Sequence, residues 1–104
     1  MEYRVSIKKN DKWQWKIVKG TRVQHNLEGL ESVKLFAHHN IASRGGKWAV
    51  SEVSTGAAVG YGDTREQAIT DAKYMLVRHS ISTCLERLRK TKAYLRKQGL
   101  EVVA

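Results

Sequence analysis

Four histidines, one cysteine and ten carboxylate side chains are the groups of this sequence most able to hold a metal or move a proton. His38 and His39 stand side by side, but His25, His79 and Cys84 are too far away in the chain to complete a recognisable metal-ligand spacing. There is no GxSxG, HExxH or CxxC, and "GYGD" at 60–63 has the glycines of a phosphate loop without its lysine and hydroxyl residue. His25 and Asp63 have no nearby nucleophile to serve. Cys84 falls in line with Ile81 and Leu88, where a core thiol would stand. The expectation is a protein without enzymatic activity, cofactor or metal.

The chemistry the chain does offer is electrostatic. Lysine and arginine number 19 against 10 acidic residues, a formal net charge of +9. The excess sits at two ends: residues 1–22 hold seven basic and two acidic side chains, and 78–97 hold seven and one. Residues 23–77 hold five and six. A fold that brings the ends together makes one positive field, attractive to a polyanion. The candidate contacts are Lys8, Lys9, Lys12 and Lys16 toward one end, and Arg87, Arg89, Lys90, Lys92, Arg96 and Lys97 toward the other. Trp13, Trp15 and Trp48 have the chemistry to stack on bases. Their alternation beside Ile17 and Val50 places them in the core instead, leaving Lys12, Gln14 and Lys16 as a basic strand face suited to a phosphate backbone.

Those residues need elements to position them. Tyr3, Val5 and Ile7 alternate with Arg4, Ser6 and Lys8 as in a half-buried strand. Asn10-Asp11 mark a tight turn, and "KWQWKIV" alternates again with Trp13, Trp15 and Ile17 directed inward. A third short strand is expected over 21–25, and Asn26 can cap a helix over 27–39 carrying Leu30, Val33 and Ala37. "ASRGG", 42–46, reads as the loop out. Trp48 and Val50, then Ala57, Val59 and Tyr61, alternate on two strands about Ser54-Thr55-Gly56. A helix follows, capped by Asp63 with Glu66 or, one residue later, by Thr64 with Gln67. Its buried stripe is Ala68, Ile69, Ala72 and Leu76.

The fold class expected is α+β: an antiparallel sheet built from two β-hairpin–helix units, 1–40 and 47–79, with a basic C-terminal helix, 80–98, in one domain. A weak internal match supports the two units, aligning Trp13, Trp15 and Gly20 with Trp48, Val50 and Gly56. In the C-terminal run the apolar stripe shifts, so either one long helix changes packing partner near His79 or a second begins near Cys84. Gly99 ends it in either case.

The 104 residues suffice for one domain with its own core. A lone cysteine suits a reducing compartment, and no apolar run approaches the roughly 20 residues of a membrane helix. The charged opening "MEYRVSIKKN" does not read as a signal peptide. A cytoplasmic setting is expected, the host cytoplasm if the chain is viral.

"TGAAVGYGDTREQAITDAKYML", 55–76, resembles the C-terminal half of a double-stranded-RNA-binding domain, with Arg65 alone standing for that family's basic helix start. Together with "YRVSIKKNDKWQWKIV", the hairpin-to-helix segment is also similar to the three-stranded DNA-binding domain of phage-type integrases, which implies a sheet face meeting duplex DNA. In overall style the chain looks like a small bacteriophage or prophage accessory protein. The reading that follows is a non-enzymatic basic binding protein that contacts nucleic acid or a nucleoprotein. Its alternative is a modulator that docks on a host DNA-processing protein through the basic C-terminal helix. A third is a subunit that forms a homodimer through Leu88 and Leu95.

Overall fold

Asn10 and Asp11 turn the chain first. Both have positive φ, 52° and 61°, the backbone of a two-residue hairpin turn whose twist matches that of its strands. They join β1 (Glu2–Lys9) to β2 (Lys12–Val23) in the computed structural model, which describes residues 1–41 and 45–102. β3 (Leu35–His39), β4 (Trp48–Glu52) and β5 (Ala58–Gly62) follow, then α1 (Arg65–Val77) and α2 (Ile81–Lys97). The five strands form one antiparallel sheet in chain order. The α+β class expected from the sequence is therefore present.

The first unit differs from the expectation: no helix forms over 27–39. Two tight turns stand there, closed by Leu30 N–H to Leu27 O (3.1 Å) and Val33 N–H to Leu30 O (3.0 Å). Gly29, at φ 84°, interrupts any helical path. Leu27, Leu30 and Val33 recur every third residue, which serves such turns as well as a helix face. Leu35–His38 then forms a buried run in the middle of the sheet. A short continuous apolar run carries no period to separate strand from helix. The separate strand over 21–25 is also absent, because β2 continues unbroken through Gly20 to Val23. β2 pairs with β1 over Lys12–Lys19 and with β3 over Gly20–Val23, so it hands the sheet from one neighbour to the other. Of the expected loop at 42–46, residues 42–44 lie outside the described residues.

The second unit follows the sequence closely. Glu52 closes the β4–β5 turn with its own side chain: the buried carboxylate accepts from Ser54 N–H (2.8 Å), Thr55 N–H (2.9 Å) and the Thr55 hydroxyl (2.8 Å). Thr64, the second of the two caps considered, starts α1 by accepting from Gln67 N–H at 3.1 Å, while Gln67 Oε1 accepts from Asp63 N–H at 3.1 Å. Ala68 and Ala72 lie so close to the sheet that a Cβ on Gly60 would stand 2.7 Å from Ala72 Cα. The glycines of "GYGD" thus serve helix packing. The run over 64–98 is two helices. α2 begins at Ile81, capped by Ser80 accepting from Thr83 N–H at 3.2 Å, three residues before Cys84.

Two cores result, one on each side of the sheet. Val23, Leu35, Ala37 and Val50 meet Ala68, Ala72 and Leu76 of α1, with Leu30 and Val33 beside them. On the other face Tyr3, Val5 and Phe36 cluster, the Tyr3 and Phe36 rings stacked at 4.3 Å. This second face is closed because the sheet curls. Ser6 of edge strand β1 donates its backbone N–H to Gly56 O in the β4–β5 turn at 3.2 Å.

Candidate nucleic-acid interface

The two-residue turn fixes which face each hairpin residue takes. Lys9 stands opposite Lys12, Lys8 opposite Trp13, Ile7 opposite Gln14 and Val5 opposite Lys16. Directly opposed residues share a face. Tyr3, Val5 and Ile7 therefore lie with Gln14 and Lys16, while Trp13, Trp15 and Ile17 lie on the other face with Lys8, Ser6 and Arg4. The residues expected to point inward, Trp13, Trp15 and Ile17, are therefore not part of the Tyr3–Phe36 core. Both tryptophans are half-buried, and Ile17 is 55% exposed.

The tryptophan face is where α2 arrives. Trp13 Nε1–H donates to the Tyr94 hydroxyl at 3.1 Å, and the two rings meet edge to face with centroids 5.8 Å apart. Leu95, next along the helix, is 2% exposed, and Leu88 and Cys84 are half-buried against the α1 core. Of the stripe expected at a homodimer, Leu95 is covered by the chain's own body, while Leu88 is half-buried. Cys84 donates its thiol to Leu76 O at 3.1 Å and packs against the core, half-buried where a core thiol was expected.

At 100° per residue, Arg87, Lys90 and Lys97 project within about 60° of Tyr94 around α2. Lys8, opposite Trp13, supplies the hairpin's charge to the same place. Lys9 and Lys12 flank the exposed turn, and Lys16 stands exposed on the opposite hairpin face. Arg89, Lys92 and Arg96 leave α2 on the side away from Tyr94. Arg89 Nε donates to Glu86 at 3.0 Å, which raises the arginine pKa, while the same bond and the guanidinium charge lower that of Glu86. Both groups are well exposed, so the pair adds little stability. Arg96 Nη2 donates to Val102 O at 3.4 Å. Register and helix angle therefore put Lys8, Lys90 and Lys97 on the side of the Trp13–Tyr94 contact. Arg87 shares that angle but lies about 10 Å along α2, beside Ala58, Met75 and His79. Lys9, Lys12 and Lys16 take the other hairpin face, and Arg89, Lys92 and Arg96 the far side of α2.

The remaining chemistry-bearing residues have local tasks. His38 is 3% exposed in β3, its ring nitrogens 2.8 Å from Ser51 Oγ and 2.8 Å from His39 O. Burial lowers its pKa, partly opposed by the bond to the His39 carbonyl. Its expected place at a helix C-terminus is replaced by a central strand. Among the described residues no three metal-binding side chains cluster. Arg65 donates to Thr21 Oγ1 at 3.0 and 3.2 Å and so ties the start of α1 to β2. No described helix is long and apolar enough to cross a membrane. The Trp13–Tyr94 joint itself was missed from the sequence, where an aromatic beside a basic helix face was its one signal. Comparison finds no matching family model, no matching curated protein and no matching solved structure.

Proposed function

We propose that this chain is a small binding protein without catalytic activity that grips the phosphate backbone of nucleic acid, alone or within a nucleoprotein. The observation that carries the reading is the Trp13–Tyr94 contact, made across 81 residues of sequence. It brings Lys8 and the hairpin tip to the side of α2 that bears Arg87, Lys90 and Lys97. Arg87, Lys90 and Lys97 are exposed and form no ion pair among the described residues, although Lys90 lies near enough to Glu86 to help lower its pKa. Unpaired cations on one surface release condensed counterions when they meet phosphates, which favours binding at low salt. The test is duplex affinity at a series of salt concentrations. Each contacted phosphate should steepen the fall of log K with log salt by about 0.9. Lys90→Glu with Lys97→Glu should weaken binding to every sequence alike, since phosphate contacts carry no sequence information. A flat salt dependence would refute the reading.

A second reading has an observation of its own. Tyr74, Val77, Ile81 and Leu85 are 59%, 58%, 46% and 37% exposed around the α1–α2 corner. Exposed apolar residues in such a row suit docking on a protein, here a host DNA-processing enzyme with an acidic groove for the adjacent basic helix. Polar replacement of Val77 and Leu85 would then abolish pull-down of that enzyme and leave duplex affinity unchanged.

A further inference from the structure

A concavity of about 560 Å³ lies between the start of β1, the segment before β3, the β4–β5 turn and α2. Arg4, Lys34 and Lys92 line it, with Ser32 and Ser54. Its carboxylates are Glu2 and Glu52. Glu52 is saturated by Ser54 and Thr55 and takes no bond from the three cations. Glu2 is exposed at the rim, and no described carboxylate forms an ion pair with Arg4, Lys34 or Lys92. Arg4 is held in place by an aromatic ring: its guanidinium carbon lies 4.3 Å from the Trp15 ring centroid. Stacking uses the face of the guanidinium and leaves its in-plane N–H donors free.

Three cations against Glu2 and Glu52 leave the concavity a net positive charge, and Glu52 is already occupied by the Ser54 and Thr55 donors. A phosphomonoester, which carries about −1.5 to −2 at neutral pH, offers three acceptor oxygens, one for each cationic side chain, where a bridging phosphodiester has fewer free oxygens. We propose that this concavity is a phosphomonoester site, in which Arg4, Lys34 and Lys92 take the charge and Ser32 donates a hydrogen bond. Its ligand is either the phosphorylated end of a nucleic-acid strand or a small phosphorylated molecule. The strand-end source rests on the nucleic-acid reading above, whereas the phosphate site stands without it. Lys92 belongs here and not with Lys90 and Lys97, which explains why it leaves α2 on the side away from Tyr94.

The experiment has two arms. Inorganic phosphate is titrated while backbone amides are followed by NMR, with shifts expected at Ser32, Lys34 and Ser54. Separately, affinities are compared for one short single strand bearing either a 5′-phosphate or a 5′-hydroxyl. The phosphorylated strand should bind about tenfold more tightly, as one or two charged hydrogen bonds allow. Arg4→Gln and Lys34→Gln should each remove that preference, whereas Lys90→Gln should weaken both strands alike. Lys34 is exposed, so its substitution leaves folding intact. Phosphate shifts without a strand preference assign the site to a small phosphorylated molecule. Absence of the shifts together with equal strand affinities overturns the proposal, as does a preference that survives both Arg4→Gln and Lys34→Gln. If neither strand binds, the nucleic-acid reading fails and the phosphate titration alone decides the site.

Discussion

Gly56 O accepts the backbone N–H of Ser6 at 3.2 Å, so the turn between β4 and β5 closes the outer edge of β1. Edge strands offer unpaired backbone to other chains, and this contact both covers the edge and shuts the Tyr3–Phe36 core. Gly56 has φ 64°, and a Cβ there would stand 2.6 Å from Arg4 O, Ser6 N and Val5 Cα. Gly56→Ala should therefore cost about 2 kcal/mol or more, from left-handed backbone and backbone collision together. A denaturant melt checks this, with Gly99→Ala, where nothing lies within 4 Å, as the milder comparison.

The buried His38 makes stability depend on pH. Its folded pKa is lowered from 6.5, chiefly by burial. Below about pH 6.5 the unfolded chain therefore binds a proton that the folded chain refuses. Stability should be full above that pH and should fall as the pH drops through it toward the lower folded pKa. His38→Gln, which keeps polar atoms for Ser51 and the His39 carbonyl, should flatten this acid limb in unfolding midpoints measured along a pH series. An unchanged limb would move the cause to other groups.

Capping separates two neighbouring residues. Thr64 Oγ1 satisfies the Gln67 N–H, whereas Asp63 takes part through its backbone N–H, donated to Gln67 Oε1. Thr64→Ala should cost about 1 kcal/mol through the lost cap. Asp63→Ala should cost a few tenths of that, retaining only the charge effect at the helix start. Thermal melts of the two variants read the order directly.

The hairpin–helix over 47–77 was legible because its signals are local: Ser54-Thr55-Gly56 turn, Thr64 and Gln67 cap, and the alanines sit at helical spacing. β3 was not, since Leu35–His38 is buried throughout and shows no alternation. The facing of the first hairpin was implicit in Asn10-Asp11. A two-residue turn opposes odd to even positions, so Tyr3, Val5 and Ile7 must lie opposite Gln14, Lys16 and Val18, not opposite the tryptophans. Alternation within each strand says nothing of that pairing. For the interface, the clustering of charge at both ends was plain in the sequence. The joint between them was not, because a hydrogen bond from Trp13 to Tyr94 across 81 residues leaves no local pattern. Arg4 and Lys34 were passed over for a related reason: one lies on a strand and the other in a turn region, and only the curl of the sheet sets both beside Lys92.

The central claim is that the hairpin and α2 act as one polyanion-binding surface joined at Trp13 and Tyr94. Backbone amide shifts recorded during titration with a short DNA duplex at low salt test it most directly. Amides of residues 8–13 and 87–97 should move together with one midpoint, and Tyr94→Ala should separate the two midpoints or weaken both. Shifts confined to one of the two segments, or no shifts in either, would contradict it.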